Sequence, residues 1–351
     1  MNRRHGNSRE NDSIRPNLIN LVEAYLKERN FKVENASLLI NKYIPIPGKF
    51  RNKNIKHRFL SRVANDKNIQ RSFTEVQKHL NSTTSTIISS LESQGYKNLL
   101  DSIFRTSSRL IVGLGAVHAL ETSITLHHTY GIPYIPGSSF KGAVRAVAFW
   151  KIVEEWKESF GEGDFIAYIT EELSEYKGKS RLEKLQDAFN GSPIWSEKKP
   201  KILEELPEEA QKLVVRYQLL FGVAGFKGLL TFLDVYPKLE GDAKVLEMDV
   251  MTPHYAPYYR DPQNNLPADW YNPTPIPFLT VKPGVPFRVV VLYDEWRAGL
   301  LQSDEAIKPY ASLVKNLDEA REDVESLIED AFTDLGIGAK TRLGYGRFRV
   351  A

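Results

Sequence analysis

Basic side chains set among glycines are the residues of this chain best suited to chemistry. The stretch GIGAKTRLGYGRFRV, residues 336–350, places Gly336, Gly338, Gly344 and Gly346 within eleven positions, with Lys340, Arg342, Tyr345, Arg347 and Arg349 among them. A second grouping is GSSFKGAVRA, residues 137–146, in which Ser138 and Ser139 precede Lys141 and Arg145. Lys227 stands in a third, GFKG. Glycines let the backbone approach a phosphate chain and present N–H donors to it, and a helix N-terminus adds a favourable dipole. Lysine and arginine then neutralise the phosphates. Three such groupings in one chain point to a polyanionic ligand.

Other residues offer other chemistry. His127 and His128 could serve as general acid or base, as in metal-free RNA cleavage, because imidazole titrates near neutral pH. His254, Tyr255 and Tyr258 in DVMTPHYAPYY, residues 249–259, could stack on bases or pack against a partner. GIGAKT suggests a phosphate-binding P-loop, but that motif requires glycine where Asp334 and Ala339 stand, and a strand is predicted to follow where a helix is needed. GLGAVH, from Gly113, fails as a dinucleotide fingerprint because His118 replaces the third glycine, so it reads as a tight turn at a strand end. Asp234, Glu247 and Asp249 show no metal-loop spacing and are taken as structural. No residue pattern requires a cofactor.

Composition narrows the setting. The 351 residues are 42% hydrophobic and 26% charged, the balance of an ordinary globular protein. There is no cysteine, which excludes disulfides, thiolate zinc sites and cysteine nucleophiles. Residues 1–15 are polar and resemble no signal peptide, and no apolar run is long enough to span a bilayer, so a cytoplasmic location with no membrane partner is expected. The net charge of +3 hides an uneven distribution. Residues 42–71 hold nine basic residues against the single acidic Asp66, whereas residues 151–210 hold nine basic against fifteen acidic. One segment attracts polyanions and the other repels them.

The elements that must position these groups divide into three regions. Residues 1–15 read as a disordered tail and 16–107 as a basic, helical region, with an amphipathic helix at Leu18–Tyr25, a break at Pro45 and Pro47, and a helix over Ile87–Leu100. Residues 108–351 read as an α+β core with an acidic, loop-rich insertion at about 155–210 and an irregular proline-rich loop at about 253–286. Within the core, strands are predicted near Leu110–Gly115 and Ser123–Leu126, then a helix capped by Ser138 or Ser139 with Phe140, Val144, Val147, Ala148 and Ile152 on its buried face. GLLTFLDVYPK and PFRVVVLYDEW follow as strands. An amphipathic helix over 311–333 is ended by Gly336 in the left-handed conformation, and GRFRV is a last strand. Strand, helix, strand, strand, helix, strand is the order of a ferredoxin-like unit, and one or two such units fit 108–351. With that topology, the basic glycine loops point to single-stranded RNA.

The same stretches carry a family resemblance. GIPYIPGSSFKGAVRA, residues 131–146, resembles the helix-opening signature of the RAMP proteins, the repeat-associated subunits of CRISPR effector complexes. GIGAKTRLGYGRF, residues 336–348, is similar to their glycine-rich loop, and DVMTPHYAPYY adds a likeness to the sixth-subunit family of the Cmr (type III-B) effector. The resemblance implies a fold related to RNA-recognition modules. It also implies a non-catalytic antiviral subunit that caps the complex backbone, holds the 3′ part of a guide RNA beside target RNA, and docks on other Cmr subunits. Catalytic relatives carry an aspartate in the loop after the first strand; residues 116–131 contain Glu121 and three histidines but no aspartate. RNA contacts are then expected from Ser138, Ser139, Lys141, Arg145, Lys227, His254, Tyr255, Tyr258, Gly336, Gly338, Lys340, Arg342, Gly344, Tyr345 and Arg347. The alternative is a metal-independent endoribonuclease of CRISPR repeats using His127 or His128.

Overall fold

A computed structural model describes residues 33–42, 53–241 and 243–351. The expected tail at 1–15, the helix at Leu18–Tyr25 and the Pro45/Pro47 break lie outside these residues. Helices α1 (Ala36–Asn41), α2 (Lys53–Asn65) and α3 (Lys67–Glu92) come first. Asp66 separates α2 from α3, its carboxylate accepting the Asn68 and Ile69 N–H groups.

The sheet begins earlier than predicted. β1 (Tyr96–Thr106) occupies the end of the region expected to be helical. A register shift between Asn98 and Leu100 turns both Leu99 and Leu100 inward, which erases the alternation that marks a strand. The strands expected at Leu110–Gly115 and Ser123–Leu126 reduce to single bridges, Leu110 to Val281 and Leu126 to Pro133. GLLTFLDVYPK splits into β2 (Leu230–Phe232) and β3 (Tyr236–Pro237) around Asp234. The proline-rich loop is shorter than predicted, because β4 (Leu246–Met251) pairs in continuous register with β5 (Ile276–Val281) as a separate ribbon. β6 (Pro286–Asp294) and β7 (Phe348–Val350) agree with expectation.

β1 pairs antiparallel with β6 on one side and β7 on the other, while β6 pairs with β2 and β3. The order β7-β1-β6-β2, with α4 (Gly137–Glu158) after β1 and a second helix before β7, makes one ferredoxin-like unit. Phe140, Val144, Val147, Ala148 and Ile152 of α4 are buried as predicted, and the Phe140 ring stacks on Phe332 at 5.6 Å and 8°. The acidic insertion is helical rather than loop-rich: α5 (Arg181–Gly191) and α6 (Glu208–Phe221) bury Leu185, Phe189, Val214 and Leu220 in the main core. α7 (Leu317–Asp330) starts at the Asn316 cap, later than expected, because residues 308–314 form a tighter 3₁₀ turn. Gly336 has φ 80° and ψ 153°, a glycine-favouring extended conformation rather than the left-handed cap predicted.

Both faces of the sheet are covered. Phe287, Val289, Val291 and Tyr293 of β6 join the main core, whereas Val290 and Leu292, on the opposite face, pack with Ile88 of α3. Arg288 fixes that arrangement, holding Asp101 through two bonds of 2.8 and 2.7 Å while donating to Asn81 O and Ser85 Oγ of α3. Among the described residues, no helix is long and apolar enough to cross a membrane.

Candidate nucleic-acid interface

The start of α4 is capped from outside its own sequence. Pro136 occupies the cap position and has no side-chain acceptor, so Ser138 and Ser139 fall inside the first turn and do not cap. Asp234 does so instead: Oδ1 accepts the Gly137 N–H at 2.7 Å, and Oδ2 accepts the Tyr236 hydroxyl at 3.3 Å. Ser138 and Ser139 are exposed.

Ser139 and Ala143 form one wall of a cleft of about 480 Å³. Val112–Gly115 and the stretch Leu335–Thr341 supply the others, so Gly113, Gly115, Gly336 and Gly338 present backbone to it. The glycine-rich loop is stitched to the segment after β1: Ala339 N–H donates to Ile111 O at 2.8 Å, Gly346 N–H to Arg109 O at 2.7 Å, and Ser107 N–H to Arg347 O at 2.8 Å. A Cβ on Gly338 would stand 2.3 Å from Ile111 O, and one on Gly346 only 1.9 Å from Ile337 O. These glycines admit the chain's own backbone. Gly344, with φ 85° and open space around it, is at the loop tip and outside the cleft.

The basic residues of the loop are not equivalent. Lys340 adopts φ 61° and lays its ammonium 5.4 Å from the Phe278 ring centre and 5.6 Å from that of Tyr345. Arg347 turns its guanidinium to the carbonyl of Thr333, near the end of the helical segment. Arg342, next to the 70% exposed Leu343, projects into solvent. Beneath the loop, Tyr345 donates its hydroxyl to Asp249, and Arg109 Nε lies 2.5 Å from Glu247 and 3.5 Å from Asp249. Burial and the Asp249 bond push the Tyr345 phenol up to about 12. Burial opposes the Arg109 charge, but Glu247 and Asp249 raise its pKa overall. Glu247 and Asp249 thus anchor the loop, a role no local pattern announced.

A second basic group forms on the flank of α4. Burial, then the charges of Arg145 and Lys227, lower the Lys141 pKa, and burial alone lowers that of Arg145. Arg145 donates to Phe189 O at 3.2 Å with its guanidinium 5.0 Å from the Phe189 ring centre, and its Nε is buried without a partner. Lys227 donates to the Tyr96 hydroxyl at 3.2 Å. None of the three pairs with a carboxylate among the described residues. By contrast, Lys56 of the basic N-terminal segment is buried and spends its charge internally on Glu121, at 3.0 Å.

His254, Tyr255 and Tyr258 follow β4 and lie apart from the cleft lining. Tyr255 donates to Asp269 at 2.7 Å, and with His254, Pro253 and Tyr259 it lines a shallow hollow of about 490 Å³. His127 packs against Tyr130, Tyr134 and Tyr236, its Nδ1 accepting the Tyr130 N–H at 3.3 Å, and burial lowers its pKa below the usual imidazole value.

Sequence reasoning missed Asp234, Arg109 and the 112–115 wall of the cleft. Only the last left a signal, the paired glycines of GLGAVH, which closes on the terminal loop instead of a nucleotide.

A family model of the RAMP superfamily matches residues 103–349. The chain is 37% identical over 278 residues to the CRISPR system Cmr subunit Cmr6 of Pyrococcus furiosus, covering 72% of this chain and 70% of that one. It is similar to the crystal structure of Cmr6 from Pyrococcus furiosus, at 31% identity and a TM-score of 0.41, over 73% of this chain and 98% of the other. A chain of the type III-B Cmr-beta complex bound to cognate target RNA is similar at 19% identity and a TM-score of 0.48, over 95% and 86%. On the family match and the sequence identity, the chain belongs to the RAMP superfamily and, within it, to the Cmr6 subunits.

Proposed function

We propose that the chain is a non-catalytic RNA-binding subunit of a type III-B CRISPR (Cmr) effector complex, where it caps the backbone, holds the 3′ part of the guide RNA, and meets target RNA and neighbouring subunits in antiviral defence. The observation that carries this reading is the cleft, in which backbone at Gly113–Gly115 and Gly336–Ala339 converges on Ser139 of α4. The N–H groups of Gly336, Ile337 and Ala339 are already spent on main-chain carbonyls, so the Ser139 hydroxyl and the backbone at Gly113–Gly115 and Gly338 are what suit a phosphate there, without reading sequence. Arg342 at the tip, and Lys141, Arg145 and Lys227, which have no carboxylate partner among the described residues, supply positive charge. Because α3 covers the sheet face that RNA-recognition modules use, RNA contact falls to the loops.

The endoribonuclease reading has less support. His127 packs against three tyrosines, and its ring nitrogen Nδ1 is already engaged by a backbone N–H. The test uses the assembled complex: replacing Arg342 by alanine should weaken guide binding alike for all sequences and reduce the salt slope by about 0.7, as for one lost single-strand phosphate contact. Unchanged affinity and slope would remove the loop tip from the interface. Cleavage of repeat RNA in EDTA that disappears in His127→Ala or His128→Ala would favour the enzyme.

A further inference from the structure

Rings from three separate segments meet beside the start of α4. Tyr134, on the loop entering the helix, lies nearly parallel to Tyr236 of β3, with centres 5.6 Å apart and planes at 17°. His127 is 4.7 Å from Tyr130 and 5.5 Å from Tyr134, and His79 of α3 approaches Tyr130 at 5.9 Å. None of these rings belongs to the buried core; each remains partly or fully exposed. Every one carries a polar edge, a hydroxyl or a ring nitrogen, and burial favours the neutral form of His127. His127 and the tyrosines therefore offer planar surface with polar edges and carry no fixed positive charge for a phosphate.

Planar faces of this kind stack on nucleobases without regard to sequence. The carboxylate of Asp234 borders the cluster through the Tyr236 hydroxyl and the Gly137 N–H. It would repel a phosphate, but it can accept from an exocyclic amino group of a base. The position relative to the cleft matters most. Gly137 meets Asp234 and Ser139 lines the cleft, two residues apart in the first turn of α4. A strand whose backbone crosses the cleft passes the helix start beside which the rings lie.

We propose that His127, Tyr130, Tyr134 and Tyr236 form a stacking platform for one nucleobase of the bound single-stranded RNA. The inference rests on the RNA-binding reading above. It turns the histidine that suggested a nuclease into part of a base-holding surface, and it assigns phosphate and base to opposite sides of one helix start.

The test compares two probes on the assembled complex, a single-stranded RNA and its counterpart with abasic riboses. Tyr134→Ala should weaken binding of the intact RNA by about five- to a hundred-fold, the range for loss of one base stack, with the salt slope of the unmodified protein retained. It should leave the abasic RNA unaffected, and Tyr134→Trp should restore binding. Equal losses on both probes, or no loss where Arg342→Ala still weakens binding, would overturn the platform and leave the rings as loop packing. A complex that binds neither probe would overturn the RNA-binding reading and the platform with it. Should Tyr134→Ala fail to fold, 4-thiouridine crosslinking of the unmodified complex decides. Adducts on Tyr134 or Tyr236 support the proposal, and adducts confined to the terminal loop refute it.

Discussion

Lys141 allows stability and binding to be moved in opposite directions. It lies four residues before Arg145 on α4, and Lys227 is near enough to depress its pKa further. Like charges four apart on a helix cost about 0.2–0.5 kcal/mol, and a second cation of similar effect brings the total to roughly 0.5–1 kcal/mol. Replacing Lys141 by methionine keeps an unbranched apolar stem of similar helix propensity and removes the charge. With an unfolding entropy of about 2.1 cal/mol/K per residue over 351 residues, the free chain should therefore melt about 1 °C higher. The gain depends on pH in a definite sense. A depressed lysine pKa means that folding opposes the charge, so the penalty in the unmodified protein is fully present below the depressed value. It fades as pH rises through the depressed value toward the ordinary 10.5. The advantage of the variant should shrink over the same interval. In the assembled complex, binding should change the other way: guide RNA binds more weakly and the salt slope falls by about 0.7. Between 50 and 200 mM salt, a fourfold change, the advantage of the unmodified complex then contracts by about 2.6-fold. Calorimetric melting of the free chain and RNA titrations at the two salt concentrations measure both. A variant that melts lower and leaves the slope unchanged would show that Lys141 is a packing residue, and the argument from unpaired charge would be wrong.

Two further outcomes follow from the site geometry. Asp234→Ala should cost about 1 kcal/mol by stripping the carboxylate cap from α4, whereas Asp234→Asn keeps an acceptor and should cost much less, read by chemical denaturation. Gly346→Ala should fail to close the terminal loop, because its Cβ would meet Ile337 O at 1.9 Å, while Gly344→Ala should cost only the left-handed penalty of roughly 1–2 kcal/mol; protection of the Gly346 amide in hydrogen exchange separates the two.

How much could be read from the sequence depended on whether a pattern was local. Helix α4 and strand β6 were legible because Phe140, Val144, Val147, Ala148 and Ile152 keep a helical period and PFRVVVLYD is a run of strand formers bounded by turns. Strand β1 was not, since the shift at Asn98 and Leu100 breaks the alternation that would have announced it. The acidic insertion hid its helices for a related reason: Leu185, Ala188 and Phe189 are spaced for a buried face but are diluted by the charges around them. The site shows the same division. The basic groupings and the terminal glycines stood out by composition. The cap from Asp234, 97 positions from Gly137, and the anchor from Asp249, 96 positions from Tyr345, exist only after folding.

The terminal glycines change meaning once the folded backbone is considered. Glycine beside lysine and arginine suggests a surface shaped to a ligand, yet Gly338 and Gly346 are needed because Ile111 O and Ile337 O leave no room for a side chain. What they accomplish is a loop woven onto residues 107–112 by main-chain hydrogen bonds and pinned by Tyr345 and Asp249. The backbone of such a loop loses little conformational freedom when a ligand arrives, so the entropy of ordering the cleft backbone has been met during folding. This also separates the expected phenotypes. Substitution of Gly338 or Gly346 should abolish the loop for every ligand at once, whereas substitution of Arg342, exposed at its tip, should weaken RNA contact and leave the fold intact.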